Sequence, residues 1–160
     1  MSEKNVLVVF YSRTGTTKKL AGQVAAELGA DLEEIVDRKS RRGPVGFVVG
    51  AKDALMKSMP EIDDPVRDPA DYDLIVVGTP VWAGTMAPAV RTWLSRHEAA
   101  LKKVAYLITA GGSGVQGTVK AMDELAGRTP VATLFAKTKE VRDDRCASVI
   151  DRFVAAVREA

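Results

Sequence analysis

The chain holds 160 residues, 46% of them hydrophobic and 28% charged, a balance that excludes a disordered protein and fits a single domain over 1–160. Its 23 basic and 21 acidic side chains leave a net charge of +2, too near neutral to argue for a nucleic-acid partner. One cysteine, Cys146, and one histidine, His97, exclude an internal disulfide and a Cys/His-rich metal site, and no metal is expected.

In chain order, the first apolar run is 6–10 (VLVVF), short and rich in β-branched residues. Such runs read as strands buried on both faces. Leu20, Ala21, Val24, Ala25 and Leu28 then recur at helical spacing, with Gly29 as a stop. The mixed segment 31–36 reads as an edge strand. A basic cluster, Arg38-Lys39-Ser40-Arg41-Arg42, and a Gly/Pro turn lead into a helix expected over 47–58. Pro60, Pro65 and Pro69 punctuate the acidic stretch that follows. Strands are expected at 74–77, 104–108 and 131–135. Helical stripes follow at Val90, Trp93 and Leu94, at Val119, Met122 and Leu125, and at Ile150, Phe153, Val154 and Val157. Asp143 or Asp144 is the expected cap region of the last helix. Alternation of this kind implies an α/β protein with a parallel sheet and helices on both faces.

No apolar run reaches the roughly 18 residues of a membrane span. Residues Met1 to Asn5 enter an apolar run too short for a signal sequence. A cytoplasmic protein with no membrane partner is expected.

In an open α/β sheet, ligands bind beyond the carboxyl ends of the strands. The loop after the first strand is Tyr11-Ser12-Arg13-Thr14-Gly15-Thr16-Thr17, leading straight into a helix. Four hydroxyls, a glycine and a helix N-terminus together have the chemistry of a phosphate cradle. One helix cap would need only one hydroxyl. A Walker loop is excluded, because no Lys follows a second Gly. After the third strand, Gly78-Thr79-Pro80-Val81-Trp82-Ala83-Gly84 frames a tryptophan in a tight turn, as if to present its plane outward. After the fourth comes Thr109-Ala110-Gly111-Gly112-Ser113-Gly114, almost bare of side chains.

These three loops resemble those of the flavodoxin family, over essentially the whole chain. The resemblance rests on the aromatic Tyr11, Ser12, Gly15, Thr17, Ala21 and the Thr79–Gly84 turn. It implies a flavodoxin-like three-layer sandwich, with a five-stranded parallel sheet in the order 2-1-3-4-5 and FMN at its edge. Ser12, Thr14, Gly15, Thr16 and Thr17 would hold the FMN phosphate. Pro80, Val81, Trp82, Ala83 and Gly84 would line one side of the isoalloxazine. Thr109, Ala110, Gly111 and Gly112 would approach its other edge. Gly84 or Ala83 would offer a turning carbonyl. No side chain is expected to act as a catalytic acid or base.

The function implied is electron carriage between redox partner proteins. Two departures favour an alternative, an NAD(P)H-dependent quinone or flavin reductase. The chain lacks the strongly acidic charge that steers carriers to basic partners. Its third loop lacks an aromatic residue to cover the second flavin face. The basic cluster at 38–42 reads either as a solvated loop or as a rim for an anion.

Two further motifs carry no function on this reading. Gly112-x-Gly114-x-x-Gly117 matches a dinucleotide fingerprint but follows the fourth strand instead of the first. Cys146 and Arg152 have phosphatase-loop spacing but share an amphipathic, glycine-free stretch. His97 reads as a surface or cap residue.

Overall fold

The computed structural model describes residues 4–160; Met1, Ser2 and Glu3, part of the N-terminal lead-in, lie outside the described residues. The elements run β1 (Val6–Phe10), α1 (Thr16–Leu28), β2 (Asp31–Glu34), α2 (Gly43–Leu55), β3 (Leu74–Trp82) and β4 (Thr85–Met86). They continue with α3 (Pro88–His97), β5 (Lys103–Ala110), α4 (Val115–Ala126), β6 (Thr133–Lys137), α5 (Thr138–Arg142) and α6 (Ala147–Glu159).

Five strands lie parallel in the order β2-β1-β3-β5-β6. Counted among themselves, these are the expected 2-1-3-4-5. The added strand, β4, is a two-residue antiparallel partner of β3.

The period of two in a strand sends neighbouring side chains to opposite faces. Leu7 and Val9 enter one core, with Val90, Trp93 and Leu94 of α3 and Met122 of α4. Val6, Val8 and Phe10 enter the other, with Leu20 and Val24 of α1 and Phe153 and Val154 of α6. Leu7 and Leu20 are each fully buried, a gain of about 1.5–3 kcal/mol apiece. The result is the three-layer sandwich. Among the described residues no helix is long and apolar enough to cross a membrane.

Several boundaries differ from expectation. Helix α2 starts at Gly43 instead of 47, because Pro44 fits the first turn, where no N–H is needed. It stops at Leu55, where Lys57 turns left-handed (φ 54°) and the Ser58 N–H donates to the Asp53 carbonyl. The last parallel strand is shifted two residues, to Thr133–Lys137. The short helix α5 follows it directly, so Asp143 and Asp144 close α5 and do not cap α6. The residue before α6 is Cys146, and its side chain makes no cap bond.

Helix α2 is inverted in size. Gly46, Gly50 and Ala54 face the protein, while Val45, Val48, Leu55 and Met56 stand in solvent. A Cβ on Gly50 would lie 2.8 Å from the Trp82 ring, so glycine is what lets this helix approach.

Candidate functional site

The carboxyl ends of β1, β3 and β5 bring the three predicted segments together at one edge of the sheet, but β3 runs on to Trp82 and β5 to Ala110, so Gly78–Trp82 and Thr109–Ala110 are paired strand and not loop. In the first loop, Gly15 takes a left-handed conformation (φ 98°) and its N–H donates to Ser12 Oγ at 3.0 Å. Ser12 therefore shapes the turn. Among the described residues, no acceptor meets the Thr16, Thr17 or Lys18 N–H groups at the start of α1. Those amides and the exposed Thr14 form an open, positive helix end.

Thr17 points elsewhere. It is 1% exposed, and its hydroxyl bonds the Thr109 hydroxyl at 2.9 Å. Two predicted site residues thus meet inside the protein, joining α1 to the end of β5. Arg13 also turns away from the open end. Its Nε donates to the Arg41 carbonyl (2.8 Å), its Nη2 to the Gly43 carbonyl (3.0 Å), and its guanidinium lies over Phe47.

The second loop is a tight hairpin. Trp82 pairs with Thr85, leaving Ala83 and Gly84 as a two-residue turn. Both have positive φ, 50° and 77°, the pattern of a type I′ turn. Trp82 is half-buried. Its ring meets Tyr11 edge-to-face (5.4 Å, 84°) and leans on Gly50. It is therefore braced on the α2 side, where the sequence suggested a plane standing free. Burial, with Asp37 nearby, pushes the Tyr11 hydroxyl up to about 12.

The third loop carries the hairpin. A Cβ on Gly117 would lie 2.6 Å from the Gly84 carbonyl oxygen, and one on Gly114 would lie 2.7 Å from Val81. Two of the three glycines of the apparent dinucleotide fingerprint, Gly114 and Gly117, make room for this contact. The Gly84 carbonyl lies against Gly117 of α4, while Ala83 remains exposed. Thr109 and Ala110 end β5 in the interior; Gly111 and Gly112 are exposed, with open space around them.

The basic cluster borders a cleft of about 650 Å³ beside Tyr11 and Ser12. Most of its charge is neutralised. Arg38 pairs with Asp63 and Glu61, and Lys39 with Asp53. Arg41 is buried between Asp37 (3.1 Å) and Asp53. Burial opposes the Arg41 charge, and the bonds to Asp53 and Asp37 outweigh it. In return the Arg41 guanidinium holds the Asp53 carboxyl below the usual range. The acidic stretch downstream supplies part of this pairing, through Glu61 and Asp63.

A flavodoxin sequence model matches residues 5–146. The chain belongs to the flavodoxin family. The chain is similar to a flavoprotein from Lactobacillus acidophilus solved in complex with FMN, at 26% identity over 88% of this chain and 97% of that one, with a TM-score of 0.73. A WrbA-like flavodoxin from Agrobacterium tumefaciens shares the fold at 18% identity (98% and 99% coverage, TM-score 0.64). So does two-electron-reduced Megasphaera elsdenii flavodoxin, at 22% identity (94% and 98%, TM-score 0.60).

Sequence reasoning missed one residue at this edge. Arg91 lies in the first turn of α3, 5% exposed, and its Nη2 donates to Thr85 Oγ1 of the hairpin at 3.2 Å. Its place in an apolar stripe beside Val90 and Trp93 was the available signal: a charge there has to be accounted for. His97 was read as a surface or cap residue. It ends α3 and is partly buried; its ring tilts against Trp93 (4.9 Å, 51°), and burial with Arg96 holds its pKa down.

Proposed function

We propose that this flavodoxin is an FMN protein that carries electrons between partner proteins. FMN, when bound, accepts and donates electrons singly or in pairs. The chain's own residues hold and tune it. The unpaired amides at 16–18, with Thr14, Thr16 and the Gly15 turn, suit a phosphate dianion. Pro80, Val81, Trp82, Ala83 and Gly84 line one side of the ring, and Ala110, Gly111 and Gly112 its far edge. Thr17 and Thr109 act from behind, fixing the two loops together. The Ala83 carbonyl is the turning group, since that of Gly84 faces α4.

The observation that carries this reading over the reductase is the pairing of the basic cluster. With Arg38, Lys39 and Arg41 each on a carboxylate, Arg42 is, among the described residues, the member of the cluster left for the phosphates of a nicotinamide dinucleotide, a weaker rim than the sequence offers. The reductase reading keeps one support: exposed Gly111, Gly112 and Ser113 leave a flat space where a second ring could stack. Stepwise anaerobic reduction of the FMN-loaded protein, followed by absorbance, decides between them. A carrier is reduced in two one-electron stages and does not consume NADH or NADPH with a quinone. A single two-electron stage with quinone-dependent NAD(P)H consumption would overturn carriage in favour of the reductase.

A further inference from the structure

Arg91 is a buried cation without a counter-ion. No carboxylate among the described residues comes within salt-bridge distance of it, and its Nε is buried with no acceptor. Its bond to Thr85 is to a neutral hydroxyl. Glu124 on α4 acts on it only through space. The other buried arginine, Arg41, lies between two carboxylates. The guanidinium stays charged even when buried, and a lone charge in the interior is costly to keep. An arrangement this costly calls for a use.

Its position supplies one. Thr85 is the hairpin residue paired with Trp82, so the Arg91 charge is tied to the residue that follows the Ala83–Gly84 turn. A fixed positive charge in a poorly screened interior favours whatever neighbouring group gains negative charge. We propose that Arg91 is a positioning residue for the flavin: its charge, anchored through Thr85, makes reduced FMN bind more tightly relative to oxidised FMN and so raises the reduction potential. This rests on the reading that 80–84 lines the isoalloxazine. It holds for carriage and hydride transfer alike.

The test is the midpoint potential of FMN-loaded wild type, Arg91→Gln and Arg91→Lys. Arg91→Gln keeps a donor for Thr85 and removes the charge. It should lower the ratio of reduced to oxidised FMN affinity about tenfold, or about 59 mV for a one-electron couple. Arg91→Lys keeps the charge and should stay near wild type. An unchanged potential in Arg91→Gln, or an equal fall in both variants, would overturn the electrostatic role. Oxidised-FMN affinity and the thermal midpoint of each variant show whether the fold survives, and Arg91→Lys remains informative if the Gln variant does not fold. FMN quenching of the fluorescence that Trp82→Phe removes tests the loop placement separately. Quenching with an unmoved potential sinks the Arg91 role alone; no quenching sinks the placement and the proposal with it.

Discussion

The Thr17 and Thr109 hydroxyls meet at 2.9 Å in the interior, and so join the first and third loops of the site. Each is the other's partner, so their removal is not additive. Thr17→Val or Thr109→Val alone strands one buried hydroxyl and should cost about 1–3 kcal/mol. The double variant should cost less than the sum of the two. Urea unfolding of all four proteins measures the coupling, and strict additivity would show that the hydroxyls act independently.

The contact between the hairpin and α4 depends on glycine. Gly117→Ala forces a methyl into the Gly84 carbonyl. It should destabilise the protein by about 1–3 kcal/mol, as overpacking does, and weaken FMN binding. Gly112→Ala, which enters open space, should leave stability unchanged. Thermal melts and FMN titrations of both variants would separate packing from cofactor recognition.

On the proposed reading, Thr14, Thr16 and the open amides at the start of α1 hold the FMN phosphate. Thr14→Ala with Thr16→Ala should weaken FMN about tenfold or more, since bonds to a charged group contribute about 1.5–3 kcal/mol each. Riboflavin, which has no phosphate, should bind almost as before. Equal losses for both ligands, measured by flavin fluorescence, would mean that this loop does not hold phosphate.

Polar bonds do much to hold α2 in place, and one of them titrates. The Asp53 carboxyl is depressed by Arg41 in the folded state. Its contribution is therefore complete above the unfolded value of about 3.9 and is lost as pH falls through the folded value. Trp82, which leans on Gly50 of α2, should shift its emission to the red in this acid range. Asp53→Asn should remove that acid step and weaken α2 at neutral pH as well.

The layers and the parallel sheet were legible because apolar runs 6–10, 74–77 and 104–108 alternate with helical stripes; the strand order followed only from the resemblance to the flavodoxin family. The first loop stood out in the sequence by its hydroxyls. What each hydroxyl does was not legible: Thr14 and Thr17 look equivalent in sequence, yet one is exposed and the other sealed against Thr109. That the basic cluster pairs with the acidic stretch was not legible, because the Arg38–Asp63 contact spans 25 residues. The antiparallel strand β4 was hidden because Ala83 is an unusual residue for a turn with positive φ.

The inverted packing of α2 bears on kinetics. A helix that turns Gly46, Gly50 and Ala54 toward the protein brings few methyl groups to the early collapse of the chain. Its ion pairs need a finished neighbourhood before they can form. The segment should therefore dock after the rate-limiting step, and substitutions along it should speed unfolding while leaving the refolding rate unchanged.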